Sequence, residues 1–466
     1  MSATSEILPS PAIPGDLRQL AGDLVAKALR AGARDAEVVI REGDEFSALV
    51  RLEQVEKLKE SGSRGIGIRV FTGSERSLHS ASASTSDFSA EGLRRLVCGA
   101  LDLARVTSED SFAGLPEPGE FGALPGELDL YHQDVYSLPV ATRIEYARRA
   151  EAAAMAADPR IQNSAGGGFD AATGRTVLAN SRGFLGEYRR SYCSLASMPI
   201  ASAPDGKMQR DFWYSSARKV SALDTPEAVG AEAARRTIRR LNARRVATQR
   251  VPVVFATEAA RSLVGHVFEA ASGDSIYRGA SFLAGQLEKV VAAPQISIVD
   301  DGTLPGLFGT TPFDGEGLPT RRTPVIEDGV LKSYLLNTYS ARKLGLRSTG
   351  NASRPMAGNP GIGTGNLYLQ AGSISPQELI GQIQAGFYVT ELMGFGVNAV
   401  TGDYSRGAAG LWIENGELTY AVEEVTIAGN LKEMLRNIAA VANDLEFRGP
   451  VASPTLCVDG MTVAGE

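Results

Sequence analysis

The place to look first for chemistry in this chain is a histidine on a helix. Residues 251–269 read VPVVFATEAARSLVGHVFE. Val251, Val253, Val254 and Phe255 favour extended backbone, and Pro252 fits a strand start or edge. Thr257 can cap a following helix and Glu258 suits its first turn. Leu263, Val264, Val267 and Phe268 then form one apolar side, and His266, one of three histidines in the chain, sits among them. A helical zinc site needs two histidines on neighbouring turns with a glutamate as general base. The positions a turn or a little more before His266 hold Arg261, Ser262 and Leu263, and Arg261 is a permanent cation. Glu269 adds a single carboxylate. The residues alone therefore make His266 a satisfied, half-buried histidine.

Other stretches carry reactive side chains. Asp300, Asp301, Asp314 and Glu316 can serve acid–base chemistry or hold a hard cation; flanked by glycine, they read more simply as turn formers. Asn351 precedes a Gly- and Pro-rich loop, 356–366, of the kind that lines a cleft. Arg64 to Val70 reads RGIGIRV, and its glycine pair suggests a phosphate loop. Without a helix start and a lysine after it, the segment reads as a half-buried strand. Arg235, Arg236, Arg239, Arg240, Arg244 and Arg245 can grip phosphate, but a solvated helix face and linker is the plainer reading.

These residues must be positioned by a long chain. At 466 residues it exceeds one ordinary core, and 22% charged with 43% hydrophobic residues is a soluble globular composition. A net charge of −7 argues against direct nucleic-acid contact. Cys98, Cys193 and Cys457 lie far apart, which fits reduced thiols in the cytoplasm. No apolar run is long enough for a bilayer, and the first sixteen residues lack the basic and apolar regions of a secretory signal.

The pattern predicts an α+β chain of two domains. Residues 1–245 form an α/β layer with an antiparallel sheet: helices at 16–31, 89–104, 140–157 and 226–241, and strands at 36–41, 46–52, 56–61, 66–71, 77–83, 178–180, 186–196 and 212–215. Residues 246–466 form a β-rich mixed domain with a few helices, among them 339–344 and 431–442. Strands are expected at 296–300, 330–336, 398–403, 411–413, 417–422, 425–427 and 455–463. Glu414-Asn415-Gly416-Glu417 is a hairpin turn, because Asn-Gly readily takes positive φ.

Several segments together resemble a known family. They are DDGTLPGLFGTTPFDGEG at 300–317, EDGVLKSYLLNTYSARKLGLRSTGNASR at 327–354, TGDYSRGAAGLWIENGE at 401–417, IAGNLKEMLRNIAAVANDL at 427–445 and LANSRGFLGEYRRSY at 178–192. They are similar to the TldD/PmbA family, linked to modulation of DNA gyrase and to intracellular metalloprotease activity. The resemblance spans essentially the whole chain. In the TldD branch a His-Glu, three residues and a second His bind zinc, with a cysteine just after the last helix. Here those positions fall on Arg261, Ser262 and His266, and no cysteine stands at 447–449; Cys457 lies on the terminal strand. The 426–435 and 453–465 segments look more like the PmbA branch, also called TldE, which lacks the zinc motif.

The resemblance implies a zinc-free subunit with no metal or cofactor of its own, pairing with a TldD-like catalytic subunit that carries the zinc. It also implies a cytoplasmic dimer, or a homodimer when isolated, with a cleft for unfolded peptide. His266, Asp300, Asp301, Asp314, Glu316 and Asn351 are the cleft candidates, bound by no membrane or nucleic acid. Two other readings are a self-assembling peptide-binding protein without a protease role and an independent hydrolase built on Asp300, Asp301, Asp314 and Glu316.

Overall fold

The computed structural model describes residues 16–74 and 77–465; the expectation for the N-terminal leader falls almost wholly outside them. Helix Leu17–Arg30 starts where Asp16 caps it by accepting from the Arg18 amide, and it buries Leu17, Ala21, Leu24, Val25 and Ala28. Two long strands follow, Asp35–Arg51 and Gln54–Ser74, where shorter pieces were expected. Leu52 and Glu53 turn the chain between them with positive φ.

One antiparallel sheet runs through the N-terminal half. Its order is Ser77–Thr85, Gln54–Ser74, Asp35–Arg51, Ile161–Asn180, Leu185–Ser202 and Met208–Arg210, with Trp213–Ala217 also paired to Leu185–Ser202. Side chains alternate across a strand, and this decides which face meets what. Val38 and Ile40 pack under helices Leu17–Arg30 and Ala90–Ala104. Further along, Phe46, Ala48 and Val50 share a cluster with Ala147, Ala150 and Val229 of helices Val140–Ala156 and Pro226–Ile238. All five strand residues are even-numbered, and the pairing is regular from Asp35 to Leu49, so four helices cover one face. The odd-numbered face, with Glu37 and Val39, meets the C-terminal half.

The C-terminal half is β-rich. Its larger sheet has the order Glu417–Asn430, Asp403–Glu414, Ala385–Met393, Gln249–Phe255, Leu456–Ala464 and Ile438–Val441. A second sheet runs Val330–Leu331, Arg322–Glu327, Ile298–Asp301, Asn366–Leu369 and Val451–Ala452. Helix Thr257–Ala271 packs between them, burying Ala259, Ala260, Leu263, Val264, Val267, Ala270 and Ala271.

Local expectations are revised at several points; the strand expected at 330–336 shortens to Val330–Leu331, and 398–403 is mostly a turn leading into strand Asp403–Glu414. The helix at 431–442 stops at Arg436, and Ile438–Val441 is a strand, because the β-branched tail fits the sheet beside Leu456–Ala464. The strand at 178–180 extends back to Ile161; its Gly166-Gly167-Gly168 stretch hid it. RGIGIRV is a strand, as expected, and its glycines serve close approach. A Cβ at Gly67 would lie 1.7 Å from the Met356 carbonyl oxygen, and one at Gly65 3.2 Å from the Met356 methyl. Finally, the arginine run is a solvated face only in part: Arg235, Arg244 and Arg245 are exposed, whereas Arg236, Arg239 and Arg240 are not. Arg236 is 8% exposed, and its guanidinium carbon lies 4.7 Å from the Trp213 ring centre. It pairs with Asp211 at 3.7 Å and with Glu258 at 3.3 Å. Arg240 pairs with Glu391 at 2.6 Å, Arg244 stacks 3.4 Å from Tyr420, and Arg245 pairs with Glu424. These side chains tie the N-terminal half to the C-terminal one.

Candidate functional site

Helix Thr257–Ala271 carries Arg261, Ser262 and His266 on its outer side. The Arg261 guanidinium donates to the Tyr214 hydroxyl at 3.3 Å, and the Ser262 hydroxyl donates to the Ala259 carbonyl at 2.7 Å. Loop 447–449 comes to the same tyrosine. Arg448 donates to the Tyr214 carbonyl at 2.6 Å, and its guanidinium lies 4.2 Å from the Trp213 ring centre. The structure thus brings Arg261 and the loop together, with two permanent cations at the meeting point. Cys457 is elsewhere, buried on strand Leu456–Ala464 against Val254 and Ile413. Burial pushes its thiol up to about 12.

His266 lies one turn further along. Its side chain is 15% exposed, while Glu269 beside it is 62% exposed. The ring meets Tyr404 edge-on, centre to centre 6.1 Å. The expected half-buried histidine has an ion-pair contact with Glu269 but no hydrogen bond within the chain. Nδ1, Nε2 and the Tyr404 hydroxyl are all buried without a hydrogen bond within the chain. The Glu269 carboxylate stands 3.5 Å from Nδ1, outside hydrogen-bond geometry. Burial lowers the imidazole's pKa, and Glu269 only partly offsets this, so the ring is neutral at pH 7 with one donor and one acceptor.

The acidic residues form no open site. Asp300 is buried, and its Oδ2 accepts from Asn351 Nδ2 at 2.7 Å, while Oδ1 has no hydrogen bond. Burial pushes its carboxyl up to about 6. Asn351 is itself held by Thr349 and Gly363. Asp301 Oδ1 accepts from the Thr303 amide and hydroxyl at 2.9 and 2.6 Å. Asp314 accepts the amides of Glu316, Leu318 and Ala352 at 2.9, 2.9 and 3.0 Å. Glu316 accepts the Thr338 amide at 2.8 Å, at the first turn of helix Thr338–Leu344. Burial raises the pKa of both Asp314 and Glu316, and the Glu316 charge adds to the shift at Asp314. These carboxylates shape turns and a helix start. The independent-hydrolase reading is corrected on this point, because acid–base work on a substrate needs an accessible group with oxygens to offer.

Sequence reasoning missed the polar cluster beside them. Glu37, fully buried, accepts from both Arg69 and Arg354. Arg69 also reaches Asn359 at 3.4 Å, and Arg41 donates to the Arg354 carbonyl at 2.5 Å. The two guanidiniums hold the Glu37 carboxyl below its usual range despite burial. The available signal was a charge in each of two apolar strands, VVIRE after Glu37 and IGIRVF around Arg69; alternation assigns both to a polar outer face. A surface cleft of about 430 Å³ also opens at the junction, lined by Met208, Gln209, Arg210, Arg240 and Glu391 among others.

A helix-backed antiparallel sheet closed on its other face by a β-rich half is the architecture of the PmbA/TldA metallopeptidases. Family models match domain 1 at residues 36–104, the central domain at 133–241 and the C-terminal domain at 248–465. The chain is 41% identical to Metalloprotease PmbA of Escherichia coli O157:H7 over 452 residues, 96% of this chain and 97% of that one. It is 38% identical to the Metalloprotease PmbA homolog of Haemophilus influenzae over 452 residues, 97% of this chain and 96% of that one. The crystal structure of a proposed modulator of DNA gyrase from Bacteroides thetaiotaomicron aligns with TM-score 0.89 and 25% identity, covering 97% of this chain and 100% of that one. TldE from Thermococcus kodakarensis shares the fold, with TM-score 0.82 and 22% identity over 95% of this chain and 99% of that one. The chain belongs to the PmbA/TldD family.

The family name implies a metal, and the donors here do not fit one. Where the resemblance puts a first ligand stands Arg261, a cation that cannot coordinate. Where it puts the general base stands Ser262, bonded to its own helix. The 447–449 loop offers Arg448. Among the described residues no group of three His, Cys, Asp or Glu side chains is arranged to hold a metal ion. No helix among them is long and apolar enough to cross a membrane.

Proposed function

We propose that this chain is the zinc-free, PmbA/TldE-type subunit of a TldD/TldE-type metallopeptidase complex acting on unfolded peptide in the cytoplasm. The observation that carries the reading is Arg261 and Ser262 on helix Thr257–Ala271, with Arg448 facing them across Tyr214. Two guanidiniums repel a dication where three protein ligands would be needed. The zinc and the hydrolysis belong to a TldD-like partner, and this chain contributes cleft wall. Residues 1–245 and 246–466 act as its two units, clamped by Glu37, Arg69 and Arg354 and by the arginines of 236–245. Of the cleft candidates, Asp301, Asp314, Glu316 and Asn351 hold local backbone in turns and at a helix start, and His266 and Asp300 keep buried polar atoms without a hydrogen bond.

The test is to purify the chain alone and with the TldD-like protein of the same genome. Both are assayed on an unfolded polypeptide, with metal content measured in parallel. Chelator-sensitive cleavage only by the pair is expected. About one zinc per chain in the isolated protein after mild dialysis sinks the reading. The double variant Arg261→His, Ser262→Glu should remain inactive alone. Five residues at 100° each place its two histidines about 140° apart on an ideal helix, and the third ligand is still missing.

A further inference from the structure

The odd-numbered face of the N-terminal sheet is covered by the C-terminal half only in part. One row across the strands is Gly65, Arg41, Thr176 and Tyr188; the next is Ser63, Gly43, Gly174 and Arg190. Met356 lies over Gly65 at one end of the first row, and Phe313 meets Tyr188 at the other, ring centres 5.3 Å apart. The second row has no such cover at its centre. The atoms nearest a Cβ at Gly43 or Gly174 belong to Thr173, Gly174, Glu42 and Arg190, all of the sheet itself. Two adjacent strands thus present bare backbone there, a place where a ligand can approach closely.

Three arginines border this floor without a carboxylate among them. Arg190 is exposed, and its Nε lies 3.7 Å from where a Gly174 Cβ would stand. Among the described residues it has no hydrogen bond or ion pair. Arg41 is half-buried; its Nη2 donates to the Arg354 carbonyl at 2.5 Å, while Nε and Nη1 have no partner in the chain and are not fully buried. Arg218 is buried and spends Nη1 and Nη2 on the carbonyls of Ser191, Leu307 and Phe308. It supplies fixed charge, not a contact. Burial, and then the charge of Arg190, push Arg218 down to about 10. Burial lowers Arg41 as well, with Arg190 and Arg354 adding to the shift, and no carboxylate acts on either. The carboxylates on the odd side of strand Asp35–Arg51 are engaged elsewhere: Asp35 takes Arg182, Glu37 takes Arg69 and Arg354, and Glu45 stands 4.0 Å from Lys59. Like charges gathered around an open floor are uncompensated within the chain.

We propose that Arg41 and Arg190 form a binding site for a small phosphate-bearing anion seated over the Gly43–Gly174 floor, with Arg218 adding positive charge from the interior. A guanidinium presents its donors in a fork that matches phosphate oxygens two at a time. Arg190 has no structural bond to give up for this, and Arg41 has two nitrogens free. The same chemistry is offered by free inorganic phosphate and by a phosphate monoester. The site lies on the N-terminal sheet and does not depend on the zinc-free reading.

The experiment titrates the full chain calorimetrically with inorganic phosphate and with glycerol 3-phosphate, using sodium chloride at matched ionic strength as the control. Thermal melting is recorded with and without each probe. Expected is saturable binding of at least one probe, weakened about tenfold or more in Arg190→Gln. Arg190→Lys keeps the charge, loses the fork and falls between. Without a probe Arg190→Gln melts at the wild-type temperature or above it, since it loses a like-charged neighbour and no bond. With a probe the wild type gains in melting temperature and the variant gains little. Tighter glycerol 3-phosphate assigns the monoester as the ligand, and tighter inorganic phosphate assigns the free ion. Wild-type affinity in Arg190→Gln overturns the inference, as do equal heats with sodium chloride. So does the absence of saturable binding of both probes up to about 10 mM. A lowered melting temperature of Arg190→Gln without any probe also overturns it, because that marks a structural arginine.

Discussion

At Glu37 one buried carboxylate takes two guanidiniums; at His266 a half-buried imidazole has only the exposed Glu269 carboxylate 3.5 Å away. Both places are polar and lie within the same chain, but the charges differ in how they are met. In the first, every side chain has at least one bond across the junction, although Glu37 Oε2, Arg69 Nη2 and Arg354 Nε are left over. In the second, all three polar atoms are idle. The first pattern is what holding two halves together requires. The second leaves polar atoms buried at a cost in stability.

The sharpest way to break this comparison is Glu37→Ala. It leaves Arg69 and Arg354 buried without their counter-charge, and a loss of about 3–5 kcal/mol in chemical denaturation is expected. A loss under 1 kcal/mol would mean that the junction is wetter than its burial indicates. Asp300→Asn comes next. The raised pKa of Asp300 means that the folded chain binds this proton more tightly than the unfolded chain does. Its contribution is therefore full below the ordinary aspartate range and is lost as pH rises through about 6. The variant should flatten the fall in stability between pH 4 and 7, and at pH 8 it should exceed wild type by up to about 3 kcal/mol. Melting curves at pH 5 and pH 8 check both signs.

Gly67→Ala drives a methyl into the Met356 carbonyl, and a loss of about 1–3 kcal/mol is expected. Faster protease cutting within 354–359 should accompany it; unchanged cutting would show the loop adjusting freely. Tyr404→Phe has the smallest effect and the opposite sign. Removing an unpartnered buried hydroxyl should stabilise the free chain by about 1 kcal/mol. A loss instead would place a bound water or a chain group on that oxygen.

How much of this was legible depends on where each residue's partner sits. The N-terminal layer was, because Leu17, Leu20 and Leu24 or the alternation in RGIGIRV are local signals. Helix Thr257–Ala271 and the break in its metal motif were read from one stretch. The role of Gly67 was not, since its reason is Met356, a residue from the other half. The arginines of 235–245 read as solvated because Trp213, Glu258, Glu391, Tyr420 and Glu424 come from distant strands and helices. Asp300, Asp301, Asp314 and Glu316 were recognised as turn formers, but burial and the pKa shifts it causes have no local signature. The idle state of His266 was equally hidden: sequence places it on a half-apolar helix face and says nothing of what its nitrogens meet.

The sheet's odd-numbered face has a consequence in time. Glu37 is separated from Arg354 by 317 residues, which a ribosome takes roughly 15–60 s to add at 5–20 residues per second. The C-terminal half closes later still, because its last strand, Leu456–Ala464, lies beside Gln249–Phe255 in the interior of the larger sheet. Through that interval the N-terminal layer has one face covered by its own helices and the other wet. A charge pair on that open face keeps it soluble until its partner arrives, whereas an all-apolar face of the same area would invite association with other nascent chains.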